Sequence, residues 1–412
     1  MKNKDIITGL DIGTSAVRVV IAQTAGGNQQ RVIGVAEAAS AGLSKGNIVD
    51  LEEVVSAVSE ALEKAERMAG VAIERAVVGI NGTHIKVIET QGVVAVSRAN
   101  GEVEPSDTER AIEASQAAAA PPNYEILHVL PLRYTLDNQE NIKDPIGMTG
   151  VRLEVTSQII MGLSSQTKLL SKCVYRTGVD VEGFVFSVLA NASAVLDKRQ
   201  KEIGVVVINI GAATTSLVVY EDNDIVYASV IPVGADHLTQ DLAIGLRTSM
   251  EAAEQVKLEV GSANPTKISK RDEIDLHRFS EAEAEGTIVS AKHVAEIIEA
   301  RTEEIFSLVD AELKKVDVSG SLPAGAILTG GGAKLKGIVE VAKKKLKLPV
   351  FIGLPQGLDS HIEKIDDPQF TTALGLVYYA MSGSRRDSLM PNFSSVKLAT
   401  DKMSRWFRDL LP

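Results

Sequence analysis

Two stretches far apart in the chain read alike, and that repeat constrains the fold more than any other feature. Ile7-Thr-Gly-Leu-Asp-Ile-Gly-Thr-Ser and Val205-Val-Val-Ile-Asn-Ile-Gly-Ala-Ala align with Leu10 on Ile208, Asp11 on Asn209 and Gly13 on Gly211. Each is followed by a second β-rich run, at 17–22 and 217–220. A strand, a tight turn and a second strand, occurring twice, predict a duplicated fold. Short β-rich runs at 6–10, 17–22, 205–210, 217–219 and 326–328 alternate with helical stretches, which gives an α/β class. The clearest helix follows Asp50, where Leu51, Val54, Val55, Val58, Leu62 and Ala65 fall at helical spacing and Asp50 with Glu53 reads as a capping box.

Between 82 and 163 the texture changes. Runs at 83–90 and 93–97 read as two strands, Ser106 with Glu109 as a capped helix start, and 124–136 and 152–160 as further strands. Together they predict a small α+β insertion outside the main sheet. Charged and small residues over 261–285 predict an exposed arm or long loops. Residues 382–395 (SGSRRDSLMPNFSS), short of apolar groups, read as a flexible linker.

With 412 residues and 45% hydrophobic content, the chain is too long for one core and should divide into two or more domains. Lys and Arg number 43 against 54 Asp and Glu, for a net charge of −11, and no long basic run precedes the end of the chain, which argues against nucleic acid as a partner. The single cysteine, Cys173, allows no internal disulfide, suits a reducing compartment and reads as a small buried residue. The opening MKNKDIITGLDIGTSAVRVV lacks the apolar core of a secretion signal, and no run approaches the length of a membrane span. The expectation is a cytoplasmic protein unless something tethers it. Six scattered histidines give no metal-ligand spacing.

An aspartate at the end of a strand with glycine two residues on lets backbone N–H groups approach a polyphosphate, and Thr14 and Ser15 add hydroxyl donors. Asp11 would hold magnesium, through water. One such hairpin is more often an ordinary turn; two in register favour phosphate. A third cluster, Gly330-Gly331-Gly332, lies between an apolar strand and a helical stretch at 335–346, where bare backbone admits a flat ligand such as adenine or the α-phosphate beside it. Neither G-x-G-x-x-G nor a GxxxxGK[ST] P-loop fits these segments.

These residues resemble the actin, sugar-kinase and Hsp70 superfamily and, within it, the bacterial cell-division FtsA family. Residues 9–15 look like its first phosphate loop, 209–216 like its second, and 328–337 (LTGGGAKLKG) like its adenosine motif. Segments 40–50, 78–84, 142–154, 232–241 and 253–257 are also similar, so the resemblance spans nearly the whole chain. It implies an actin-like fold binding ATP and Mg through Asp11, Gly13, Thr14, Ser15, Gly211, Ala212, Ala213, Thr214, Thr215, Gly234, Ala235, Glu254, Lys257, Gly330, Gly331 and Gly332. Glu254 and Lys257 would face the ribose and adenine; a surface i,i+3 ion pair is the plain alternative. Three alanines, Ala212, Ala213 and Ala235, stand where glycines are common. Asn209 replaces a usual aspartate, and Ser187 stands where many relatives outside FtsA carry a glutamate. Without a carboxylate to orient water, weak or absent ATPase activity is expected, and no catalytic residue is assigned.

The implied division is 1–83, 164–202 and 366–381 for subdomain 1A, 84–163 for the inserted subdomain 1C, 203–245 and 310–365 for 2A, 246–309 for 2B, 382–398 for a linker and 399–412 for a terminal helix. In that last segment Met403, Trp406, Phe407, Leu410 and Leu411 form one apolar face, with Lys402, Arg405 and Arg408 on the other sides, as in a helix lying in a membrane interface. Packing on its own domain or in a partner's groove are the alternatives. The family further implies self-association into filaments, attachment to anionic lipid on the inner membrane face at the division site, FtsZ as partner of 246–309, and later division proteins as partners of the insertion. A pilus-assembly adaptor or a soluble kinase of the same superfamily would be the rival readings.

Overall fold

We describe the chain from a computed structural model, which covers residues 6–25, 29–119, 121–280, 287–355 and 362–383. The first hairpin is β1 (Ile6–Ile12) with β2 (Ala16–Ala25), registered so that Asp11 lies opposite Arg18. Strand β3 (Gln29–Ala39) runs antiparallel to β2. A small hairpin, β4 (Leu43–Ser44) with β5 (Asn47–Ile48), leads into α1 (Leu51–Ala69). The Asp50 carboxylate accepts from the N–H groups of Glu52 and Glu53, which fixes the start of α1, and Val54, Val58 and Leu62 are buried. Each such fully buried side chain contributes roughly 1.5–3 kcal/mol. Strand β6 (Arg75–Ile80) then pairs parallel to β1.

The insertion follows. It contains β7 (Ile85–Ala95), α2 (Pro105–Ala119), β8 (Tyr124–Leu136), β9 (Gln139–Ile142) and β10 (Arg152–Leu163), with sheet order β7-β10-β8-β9. Val103, Ala111, Leu136, Ile142, Leu153 and Val155 form its core. Two details depart from the sequence pattern. One continuous strand replaces the two expected over 83–97, because Gly92 is there for close approach: a Cβ on it would lie 2.0 Å from the Ala111 carbonyl oxygen of α2. The helix also begins at Pro105, and Asp107 rather than Ser106 closes its start by accepting from the Glu104 N–H at 3.0 Å.

After α3 (Ser164–Arg176), β11 (Asp180–Phe186) pairs with β6 and completes the order β11-β6-β1-β2-β3. Helices α4 (Ser187–Val195) and α5 (Lys198–Ile203) lead into the repeat. There β12 (Val205–Ile210) and β13 (Thr215–Glu221) reproduce the first hairpin: Asn209 faces Ser216 as Asp11 faces Arg18. The Gly211 N–H donates to the Thr214 carbonyl as that of Gly13 does to Ala16. The chain continues through β14 (Asp224–Ile231), α6 (Ala235–Leu246), α7 (Met250–Val260), β15 (Glu273–Asp275), β16 (Ile288–Ser290), α8 (Ala291–Lys314), β17 (Ala326–Thr329), α9 (Ile338–Leu346), β18 (Val350–Ile352) and α10 (Thr371–Gly383). The second sheet runs β18-β17-β12-β13-β14, matching the first strand for strand.

The expected exposed arm after 261 is partly interior, since Ala263, Ile274 and Leu276 enter the second core. The helix expected from 335 starts at Ile338, after a 3-10 turn at Gly331–Lys334. Helix α10 returns to the first half. A Cβ at Gly9 would meet the Ala373 carbonyl oxygen at 2.1 Å and one at Gly375 that of Ala190 at 2.0 Å, so α10 packs backbone to backbone on β1 and α4. Among the described residues no helix is long and apolar enough to cross a membrane. The linker expected at 382–398 lies outside the described residues save its first two, and the terminal helix expected at 399–412, with its apolar stripe at 403–411, lies wholly outside them.

Candidate nucleotide site

Asp11 sits near the end of β1, half-buried, and among the described residues no hydrogen-bond donor reaches its carboxylate. Burial raises its pKa to about 6, although Arg18 across the strand pair pulls it down. Gly79 lies close beside it: a Cβ there would stand 3.1 Å from Ser187 Oγ, 3.3 Å from Asp11 Oδ1 and 3.4 Å from Leu376 Cδ1. A partly desolvated carboxylate without an internal donor, facing bare backbone, fits one hydrated magnesium ion. Thr14 and Ser15 occupy the turn, and the Ser15 carbonyl accepts from the Ser40 N–H at 3.1 Å. The amides of Gly13 and Gly211 close their own turns, so these glycines shape the loops rather than offering their N–H groups.

In the second half the hairpin and α6 interlock. A Cβ on Gly234 would lie 2.5 Å from the Ala212 carbonyl oxygen, 2.6 Å from that of Gly211 and 2.7 Å from the Thr214 nitrogen. The N–H groups of Ala235 and Asp236 donate to the Gly211 and Ala212 carbonyls. Ala213 and Thr214 are buried at the turn, while Thr215 turns inward, its hydroxyl donating to the Val233 carbonyl at 2.8 Å. Sequence had placed Thr214 and Thr215 together; the structure separates them.

Lys257 is 9% exposed. Its ammonium pairs with Glu254 at 2.6 Å and donates to Thr239 Oγ1 at 2.8 Å and the Ala235 carbonyl at 3.3 Å, and Thr239 donates in turn to Glu254. The i,i+3 pair thus ties α6 to α7 beside the hairpin, with Lys257 buried and Glu254 partly exposed. Asp236, which sequence reading missed, joins it: burial raises its pKa against the lowering by Lys257.

The three glycines divide their work. Gly330 has φ +83°, and a Cβ on it would fall 2.3 Å from Asn209 Oδ1. Its N–H donates to the Pro368 carbonyl at 3.1 Å. Gly332 abuts Ile210, whereas Gly331 meets nothing within 4 Å and presents bare backbone to open space. Asn81 was also missed as a site residue. It follows β6, and its Nδ2 donates to Thr214 Oγ1 at 3.1 Å, joining the two halves. It lies in the family-like segment 78–84, but an Asn-Gly pair after a strand reads by itself as a turn.

Two halves built on one hairpin, with matching five-stranded sheets and a domain inserted in the first, define an actin-like protein. Solved structures agree on the fold: the chain is similar to one of a PilM–PilN type IV pilus biogenesis complex (TM-score 0.67, 17% identity, 90% of this chain and 98% of that). It is likewise similar to MreB5 of Spiroplasma citri bound to ADP (TM-score 0.53, 13% identity, 94% and 100%). The family model described as cell division protein FtsA matches residues 206–375, and that described as the SHS2 domain inserted in FtsA matches 82–161. The cell division protein FtsA of Pseudomonas aeruginosa is 34% identical over 397 residues, 96% of this chain and 94% of that protein. The chain belongs to the cell division protein FtsA family.

Proposed function

We propose that the chain binds Mg-ATP between its two halves and assembles into filaments on the inner face of the membrane. There residues 402–411 attach it to anionic lipid, a surface within 246–309 holds FtsZ, and the insertion engages later division proteins. The observation that carries the nucleotide part is the clustering of the second hairpin, the N-terminus of α6, the Glu254–Lys257 knot and the Gly330–Gly332 turn in one half, with Asp11 facing Gly79 in the other. Family membership and the ADP bound by the MreB5 neighbour support the same reading.

In this reading Asp11 holds the magnesium water shell, and the metal supplies charge neutralisation for the phosphates. Asp11→Asn is expected to weaken Mg-ATP binding about tenfold and to make affinity indifferent to EDTA, as measured by titration calorimetry; unchanged magnesium dependence would remove Asp11 from the site. Asn209 and Ser187 supply no general base, so binding is expected to exceed turnover.

The tail contributes roughly 1 kcal/mol per basic side chain at an anionic surface, plus its apolar face, giving reversible attachment for one subunit. Many tails on one filament would bind far more firmly. Co-sedimentation with anionic vesicles, with and without Mg-ATP, tests this by comparing the full chain with one ending at Ser395. The full chain should pellet and the shorter one stay in solution. If neither pellets, the membrane reading is wrong and the soluble-kinase alternative should be screened with substrates.

A further inference from the structure

Asn81 makes a side-chain to side-chain link from the first half to the second phosphate hairpin, and its chemistry says what the link does. Its Nδ2 donates to Thr214 Oγ1 at 3.1 Å. A hydroxyl has one proton, so an oxygen that accepts from an amide keeps its own O–H to give elsewhere, and a phosphoryl oxygen can only accept. Thr214 is 5% exposed, and its carbonyl closes the turn with the Gly211 N–H, so the hydroxyl has little freedom of its own.

The turn that follows Asn81 is held from both sides. The Ile85 N–H donates to the Gly82 carbonyl and the Thr83 N–H to the Lys45 carbonyl. The Asn47 side chain donates to Thr83 Oγ1 at 3.0 Å. A Cβ on Gly82 would fall 2.7 Å from Nδ1 of the buried His84, so the imidazole backs the turn. Asn81 Oδ1 is buried without a partner and shares a small cavity with His84, Gln166 and Ile48. With the amide nitrogen committed to Thr214, the oxygen end of Asn81 is the one left buried without a partner.

We propose that Asn81 is a positioning residue for the phosphate end of the nucleotide: by donating to Thr214 it makes that hydroxyl a donor to a phosphoryl oxygen, and so ties closure of the two halves to an occupied second hairpin. The inference rests on the reading of residues 211–215 as a phosphate loop. It is tested on the full chain by calorimetry with Mg-ATP, and with adenosine by competition, using Asn81→Ala, Asn81→Asp, Thr214→Val and the Asn81→Ala/Thr214→Val double variant.

Asn81→Ala and Thr214→Val are each expected to weaken Mg-ATP about tenfold with adenosine unchanged, and the double variant to be no weaker than Thr214→Val alone. Asn81→Asp keeps the size but can only accept, so it takes the Thr214 proton and should weaken Mg-ATP more than Asn81→Ala does. A residue that merely filled space would show the opposite order. Additive losses, equal losses for ATP and adenosine, or wild-type affinity in Asn81→Asp would each overturn the proposal. Should Asn81→Ala fail to fold, Asn81→Asp and Thr214→Val decide it. Failure of the unaltered chain to bind Mg-ATP would overturn the nucleotide reading as a whole; binding that is equal in the unaltered chain and in every variant would overturn this inference alone.

Discussion

A chain carrying Gly330→Val should lose measurable Mg-ATP binding. Gly330 holds φ +83°, which a β-branched residue reaches only under strain of order 1–3 kcal/mol. Its new Cβ would also stand 2.3 Å from Asn209 Oδ1 and 2.6 Å from the Ile210 carbonyl oxygen, distances no rotamer change relieves on the backbone side. The turn must move away from β12, taking the N–H out of reach of Pro368 and Gly331 away from the face it presents. Gly331→Ala is the control: nothing lies within 4 Å of its Cβ, so the fold should be unaffected while the methyl intrudes on the face proposed for adenine. Titration calorimetry with thermal melting separates the two cases. Mg-ATP affinity within twofold of the unaltered chain in Gly330→Val would show that the ligand does not use this turn.

Asp107→Ala should unfold the insertion or come close to it, at a cost of about 3–5 kcal/mol. The Asp107 side chain has no exposure. Burial alone would raise its pKa, but the Glu104 N–H, the Ser97 hydroxyl, the Arg110 guanidinium and the Ser97 N–H donate to it and hold it well below the usual carboxylate range. Alanine orphans both backbone donors and the Ser97 hydroxyl at the start of α2. The pH dependence has a definite sign: a carboxyl whose folded pKa lies below its ordinary value of 3.8 stabilises the fold above that value and loses this as pH falls through it. Urea unfolding of the insertion should therefore be flat in this respect above pH 5 and weaken below about pH 4, and Asp107→Asn should remove that slope. A variant as stable as the parent at pH 7 would mean the network only decorates the helix start.

What could be read from sequence divides along physical lines. The repeat of Asp11-Ile-Gly13 and Asn209-Ile-Gly211 was legible because hairpin geometry is local, and the structure repeats it down to the hydrogen bond that closes each turn. Gly92 was misread as a break because sequence cannot tell a glycine that ends a strand from one that admits a neighbouring helix. Pro105 could have been given its place by the preference of proline for the first helical position, but Ser106 offered a competing cap. Thr214 and Thr215 look interchangeable in the chain; only the strand that begins at Thr215 sends its hydroxyl inward. Asn81 and Asp236 meet partners far away in sequence, Thr214 and Lys257, which no local pattern reveals.

The return of α10 to β1 and α4 has a mechanical meaning. The main chain leaves the first half near Gly204 and re-enters it by Thr371, so the second half is a closed excursion. A pulling force arriving from beyond residue 383 meets α10 first and passes into the first sheet through backbone packed against backbone. Strands β12 and β13 of the second sheet lie beside that path, against α4, and Tyr220 of β13 lies near Tyr379 of α10. Tension entering by α10 would therefore load the first half directly and reach the second only through its side-chain neighbours on α10 and α4.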